Sequence, residues 1–435
     1  MKIAVFSNLW PPVFIGGYEI GASQVVNELK RRGHEVLLIA CHEYYECRPP
    51  APLVHQGHAP GDRAHFLDAG LCLFGSLAAF VRRRRGTFLR QLVRTWWARR
   101  RYRAALRGFR PDVLLAFNPL GVLAPVLDDF VAHSRETGVP VQVYVSDHWL
   151  AGWPGANPLY SLIVRLRHSP GRLVRVGAKV ASRLLSAAGL LPRPLPLVDR
   201  YLYCSDFIRS ISQENSIGVA RHEVVRWGLP DVGRLPGVRP DHFDTEGPLT
   251  VVYAGQLLEH KGVAVLVRAL ARCQARHPLV VIGDDRAEYA EVCRKVARKL
   301  GVLEQIRFLG KKKNGEMLEL LSRSGQVLVV PSLWDEPFSI VVLEGMGVGL
   351  PVVASDTGGT GEAIRDGETG FLFPRGNDRE LAAVLDRLDA DRPLCRQVGA
   401  RARKLVLQRF TLEAMVDQVL AGMPGASGHA RRAAA

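Results

Sequence analysis

Short, nearly continuous apolar runs alternate with helix-patterned stretches along this chain, and they do so in two series separated by one break. Strands that read as unbroken apolar runs are buried on both faces, which happens in parallel sheets covered by helices. The first series is KIAVFSN, EVLLIA, DVLLAF, VPVQVYVSD and RYLYCSD, with IGASQVVNELKRRGH repeating its apolar positions at helical spacing. From Arg226 to Leu249 the stretch RWGLPDVGRLPGVRPDHFDTEGPL carries Gly and Pro too often for an element interior. The alternation restarts with LTVVYAGQ, HPLVVIGD, IRFLG, QVLVVPS, LPVVASD and GFLF, spaced by helical stretches such as DRELAAVLDRL. A chain of 435 residues is too long for one ordinary core. The pattern therefore predicts an α/β protein of two doubly wound, Rossmann-like domains in tandem. Their expected bounds are 1–226 and 249–404, with a linker over 227–248. RFTLEAMVDQVLAGM, within 405–424, reads as an amphipathic helix returning to the first domain, and 425–435 as a disordered tail.

Charge and cysteine usage narrow the partners. With 58 basic and 42 acidic residues the formal charge is +16, which favours anionic partners. No nucleic-acid-binding module is recognisable, so no nucleic-acid partner is expected. Seven scattered cysteines without a CxxC pair fit a reducing compartment. MKIAVFSNLWPP is too short for a signal peptide, and the longest apolar run, Ala69 to Val81, falls short of the roughly 20 residues that span a bilayer. A cytoplasmic protein is expected.

Two acid-free segments, Val81–Arg110 and Ser161–Val198, combine arginines with apolar residues. In the first, Phe88, Leu89, Leu92, Val93, Trp96 and Trp97 recur at helical spacing, the form of an interfacial membrane helix or of a packed helix with a solvated basic face. Two such segments in one domain favour peripheral contact with an anionic membrane surface. CHEYYECRPPAPLVHQGH offers Cys41, His42, Cys47, His55 and His58, but at spacings that match no familiar zinc pattern, so no metal is expected there.

Doubly wound sheets bind ligands at the carboxyl ends of their strands, where helix N-termini present free N–H groups. Three loops have that form: LWPPVFIGGYE with Gly16–Gly17, SDTGGTGEAI with Gly358–Gly359, and PSLWDEP leading to a helix from Ser339. A glycine pair alone is commonly only a tight turn. In the third loop, EPFSIVVLEGMGVGLPVV sets Glu336 and Glu344 in an otherwise apolar stretch. Ionised carboxylates are costly to bury alone, so both should face a polar ligand, a partner or water. If Ser339 caps this helix, the N–H groups of Ile340 and Val341 are open to a phosphate, with Glu344 further along the helix and Glu336 in the preceding loop. The two acids could then contact different ends of one ligand.

PPVFIGGYE, RRGHEV, YCSDFIRS, YAGQLLEHKG and VVPSLWDEPFSIVVLEGMGVGLPVVASDTGGTGEAIRDGETGFLFP together resemble the retaining glycosyltransferases of family 4. That resemblance implies the GT-B fold, two Rossmann-like domains facing across a cleft. It implies a nucleotide-diphosphate sugar bound mainly to the second domain and an acceptor on the first, a saccharide or lipid-linked glycan of bacterial polysaccharide biosynthesis. By resemblance Glu344 contacts the nucleotide ribose, Glu336 the donor sugar and Lys261 the diphosphate, and Phe338, Ser339, Ile340 and Val341 complete the donor site. Gly16 and Gly17 would let the backbone approach the donor phosphates or the acceptor. His148 would contact the donor sugar, or else simply bond its neighbours. The family usually has arginine where this chain has Gln256, a donor-site position that can hydrogen-bond but adds no charge. No cofactor or metal is implied, since Lys261 and N–H groups can offset leaving-group charge. Asp389-Ala-Asp391, the one Asp-x-Asp triplet near a helix end, reads as a solvated face. A nucleotide-sugar epimerase of the same fold, or a nucleotide-binding protein without catalysis, stands as the alternative.

Overall fold

Strand pairing is parallel throughout the described residues, as unbroken apolar strands require. The computed structural model describes residues 1–10, 17–41, 63–67, 99–118, 124–148, 198–213, 221–284 and 288–423, with 176–177, 179–180 and 286. The chain divides into two compact units, Met1–Val225 with Val416–Ala435, and Arg226–Met415.

The first unit holds a seven-stranded sheet. Its strands are β1 (Lys2–Leu9), β2 (Glu35–Cys41), β3 (Arg63–Leu67), β4 (Val113–Phe117), β5 (Val141–Val145), β6 (Arg200–Tyr203) and β7 (Arg221–Val224), in the order β3-β2-β1-β4-β5-β6-β7. Helix α1 (Gly17–Arg31) follows β1 and buries Ala22, Val25, Val26 and Leu29. Its buried Glu28 is held by Arg31 and Arg32, and Arg32 also reaches Asp417. At the start of β6, Arg200 donates to the carbonyls of Gln418 and Val419 at 3.0 and 3.1 Å and to the carboxylate of Glu223. These contacts tie the chain beyond Val416 to this unit.

Of the basic segment Val81–Arg110, residues 99–110 are described, and 99–109 form a helix. Arg99 and Arg103 bind the buried carboxylate of Asp129, on α2 (Ala124–Thr137), and Tyr102, Leu106 and Phe109 are buried. This portion is thus a packed helix in which Arg99 and Arg103 have an internal counter-charge, while Arg100, Arg101 and Arg107 are exposed. Phe88 to Trp97, nearly all of Ser161–Val198, the run Ala69–Val81, His42 to His58 and residues 425–435 lie outside the described residues. Among the described residues no helix is long and apolar enough to cross a membrane.

The second unit holds a six-stranded sheet, β8 (Val251–Ala254), β9 (Leu279–Ile282), β10 (Ile306–Phe308), β11 (Val327–Val330), β12 (Val352–Ser355) and β13 (Phe371–Phe373), in the order β10-β9-β8-β11-β12-β13. β8, β9, β11 and β12 are buried along their whole length. The Gly/Pro-rich stretch after Arg226 packs on this unit. Leu229 exchanges backbone hydrogen bonds with Phe410 and Leu412, and Arg403 donates to the carbonyls of Leu235 and Pro236.

Both sheets reverse their strand order once, between β1 and β4 and between β8 and β11. Two strands, β3 and β7, had no counterpart in the apolar pattern. Both are sheet edges, RAHFL and RHEV in sequence, and the residues of β7 are half-buried to exposed. An edge strand has only one neighbouring strand and can lack the unbroken apolar run, although the edges β10 and β13 of the second sheet both appear in the apolar pattern.

Candidate functional site

The loops leaving β8 and β11 meet where the second sheet reverses its order, the place where doubly wound sheets hold ligands. What lets them meet is Gly262. Its φ of 72° is in the left-handed region, and a Cβ there would lie 1.9 Å from the carbonyl oxygen of Pro331. Beside it the Leu333 N–H donates to the carbonyl of His260 at 2.7 Å.

This contact carries Lys261 onto Glu336. The Lys261 Nζ donates to Glu336 Oε1 at 2.7 Å, and Ser332 Oγ donates to the same oxygen at 2.5 Å. The Glu336 side chain is 9% exposed, so the lysine and the hydroxyl supply the partners that its burial demands. The Trp334 ring lies 5.2 Å from Nζ, adding a cation–π contact. The adjoining imidazole of His260 is held below its ordinary pKa by burial and by the Lys261 charge.

Gly358 and Gly359 fix the backbone of that loop. At Gly358, φ is 51° and a Cβ would lie 2.4 Å from the Glu336 carbonyl oxygen, to which Gly359 N–H donates at 2.7 Å. The glycine pair in SDTGGTGEAI therefore serves close backbone approach to the acid-bearing loop.

Helix α7 (Ile340–Val348) begins at Ser339, as the spacing predicts, but the serine hydroxyl makes no capping hydrogen bond. Ser339 and Phe338 are buried, the latter against Phe410 with ring centroids 6.1 Å apart. No side chain of the cap residue therefore occupies the first-turn N–H groups of α7. Further along, Glu344 Oε1 accepts from Asn314 Nδ2, at the start of α6 (Asn314–Ser324), at 2.5 Å. Burial pushes the Glu344 carboxyl up to about 7, against the lowering effect of the Asn314 hydrogen bond. Gln256 follows β8 on the exposed side, its carbonyl accepting from the Tyr253 hydroxyl at 2.6 Å.

Lys261, Ser332 and Glu336 thus form one cluster, with Ser339, Ile340 and Val341 at the start of the next helix and Glu344 along it. An ammonium, open N–H groups and two carboxyl groups in different surroundings suit a ligand with an anionic middle and hydroxyl-bearing ends. The remaining predicted residues belong to the first unit. Gly17 is the first residue of α1, and Gly16 lies outside the described residues. His148 follows β5, its backbone N–H donating to Asp147 Oδ1 at 2.7 Å and its ring edge-on to Phe207.

Asp389 is half-buried and structural, whereas Asp391 is exposed and serves as a helix cap. Asp389 accepts from the Leu249 N–H at 2.8 Å and pairs with Arg392, while Asp391 caps the helix α9 (Arg392–Arg409) through the Leu394 N–H. Sequence reasoning named Lys261 but not its pairing with Glu336, and it missed Ser332 and Asn314. Ser332 and Trp334 sit in PSLWDEP without a pattern that marks them, and Asn314 carries no motif at all.

The described residues have the GT-B fold: the chain is similar in structure to the Anabaena HepE protein, solved in complex with UDP and glucose, with a TM-score of 0.66 and 19% identity over 97% of this chain and 98% of that one. Residues 238–405 match the family described as glycosyl transferases group 1. An uncharacterized glycosyltransferase of Methanocaldococcus jannaschii is 33% identical over 174 residues, covering 39% of this chain and 43% of the relative. A glycogen synthase of Mycobacterium tuberculosis is 36% identical over 199 residues, covering 45% of each. The chain thus spans less than half the length of these two curated relatives.

Proposed function

We propose that this protein is a glycosyltransferase that moves a sugar from a nucleotide-diphosphate sugar to an acceptor hydroxyl. The observation that carries the reading is the Lys261–Glu336 pair beside the uncapped start of α7, inside the segment that matches glycosyl transferases group 1. In this reading Glu344 accepts hydrogen bonds from the ribose hydroxyls, the first-turn N–H groups and Lys261 hold the diphosphate, and Glu336 meets the sugar. As the anomeric carbon–oxygen bond breaks, negative charge grows on the departing diphosphate. Lys261 faces that charge, and one charge-assisted hydrogen bond is worth about 1.5 to 3 kcal/mol. Gln256 contributes an amide donor there but no charge. The anomeric configuration is retained, and the acceptor is a saccharide or lipid-linked glycan at a membrane surface. A UDP-bound neighbour supports a nucleotide-sugar donor without fixing the base for this chain.

The test is a thermal-shift panel of UDP, GDP, ADP and their sugars, followed by nucleotide release with and without membrane lipid extract. The expected result is stabilisation by one nucleotide class and sugar-nucleotide turnover that needs acceptor. Turnover without acceptor would instead favour an epimerase, and absence of any nucleotide response would refute the donor site.

A further inference from the structure

The opposite end of the second sheet carries a cluster that the donor-site reading does not use. Cys273 lies in the turn after α4 (Val263–Leu270), His277 precedes β9, and Asp386 stands on α8 (Asp378–Ala390). Their Sγ, ring nitrogen and carboxylate oxygen atoms all lie within 4.8 Å of one another. β9 begins just after His277, so the cluster is at the amino ends of the strands, whereas Lys261 and Glu336 follow the carboxyl ends of β8 and β11.

The histidine is the informative member. It is fully buried, and its Nδ1 lies 3.1 Å from the carbonyl oxygen of Leu249. A carbonyl only accepts, so Nδ1 carries a proton, and Nε2 is the ring atom left to face the cluster. That Nε2 has no hydrogen-bond partner among the described residues, and the nearest carboxylate oxygen, Asp386 Oδ1, is 4.0 Å away. A buried ring nitrogen without a partner, 4.0 Å from a half-buried carboxylate, leaves room for a cation between them. A ring nitrogen held by a carbonyl on its far side is also the usual support of a metal-bound histidine. The Asp386 carboxylate is oriented in turn by the Gln274 N–H at 2.9 Å.

We propose that Cys273, His277 and Asp386 form a binding site for a zinc-class divalent cation that clamps the end of α4, the start of β9 and α8 together. One thiolate, one imidazole and one carboxylate form a donor set suited to zinc and poorly suited to magnesium or calcium, which take oxygen ligands. Ligand bonds of about 2.0 to 2.3 Å in a tetrahedron place ligand atoms about 3.5 Å apart, so side-chain rotation of about 1 Å closes the site. Cys273 and Asp386 are each half-buried, which leaves the fourth position to water. On binding, the Cys273 thiol loses its proton to solvent as the sulfur–metal bond forms. A free reactive thiolate is not the alternative, since burial together with Asp386 and Asp389 pushes this thiol up to about 12.

The experiment uses the full chain, stripped with a chelator and titrated with Co(II) as a spectroscopic probe, then with Zn(II). The expected result is one equivalent of bound cobalt with a thiolate-to-cobalt charge-transfer band, displaced by zinc, and a zinc-dependent rise in Tm. Cys273→Ser should abolish the band, and Asp386→Asn should weaken cobalt binding at least tenfold, each with an unchanged circular dichroism spectrum. His277→Gln is less informative because its site is fully buried. A wild-type protein without the band, or a band kept by Cys273→Ser, would overturn the proposal. Neither outcome bears on nucleotide binding, which is measured separately.

Discussion

Replacing Glu344 with glutamine should make the ligand-free protein more stable above neutral pH while costing it nucleotide affinity. Burial raises this carboxyl from its ordinary 4.5 to about 7 in the folded protein. Between those two values the folded state keeps a proton that the unfolded state has released, so stability is highest at low pH and falls as pH rises from about 4.5 to about 7. Each pKa unit is worth about 1.4 kcal/mol, which gives about 3.5 kcal/mol for the whole window, and we take about 2 to 3 because the residue is not fully closed to solvent.

Glutamine keeps an oxygen that can accept from Asn314 Nδ2 but never ionises. Urea denaturation of wild type and Glu344→Gln at pH 5 and pH 8 isolates the effect. The difference between the two proteins should change by about 2 to 3 kcal/mol between these pH values, in favour of the variant at pH 8. Nucleotide binding by calorimetry at pH 8 should meanwhile weaken at least tenfold in the variant. Identical pH dependence in the two proteins would refute the claim that this carboxyl is strained by burial, and unchanged nucleotide affinity would refute its ribose role.

The cluster around Glu336 predicts the reverse balance. Lys261→Met removes the cation that compensates a nearly buried carboxylate, so it should destabilise the protein by about 2 to 4 kcal/mol in urea unfolding, with much of the loss recovered in Lys261→Met/Glu336→Gln. Gly262→Ala forces a Cβ against the Pro331 carbonyl at a left-handed φ, and should lower Tm and abolish transfer together, checked by thermal unfolding and nucleotide release. Ser339→Ala should change stability by less than about 0.5 kcal/mol, well under the usual cost of about 1 kcal/mol for a lost cap, because the hydroxyl makes no capping bond.

What could be read from the sequence tracks burial. β8, β9, β11 and β12 are buried along their whole length, so their apolar runs announced a parallel sheet, while RHEV, half-buried to exposed, stayed silent. The two acids stood out because carboxylates are rare in apolar stretches. Their pairings did not, since Lys261 is 75 residues from Glu336 and Asn314 is 30 from Glu344, separations that no local period encodes. Composition also misplaced Asp389, which looks like surface charge in DRLDADR and in the fold receives the Leu249 N–H. The glycines at 262 and 358 were legible as turns, but the close approaches that require them belong to loops far away in sequence.

The contrast between the two acids says how the site is completed. Glu336 already has Lys261 and Ser332 as partners, so a ligand must share or displace contacts there and gains little from the acid itself. Glu344 has one amide partner and a carboxyl that resists ionisation, so ribose hydroxyls would supply donors that the folded chain lacks. Binding energy should therefore concentrate at the nucleotide end. A nucleotide without its sugar, at a concentration of about 100 times its Kd, should stabilise the protein by about 2.7 kcal/mol, whereas the free sugar should leave Tm unchanged. The nucleotide's stabilisation should also grow from pH 6 to pH 8 as Glu344 ionises, and lose that slope in Glu344→Gln. A free sugar that raised Tm as much as the nucleotide would place the dominant contact at Glu336 and reverse this assignment.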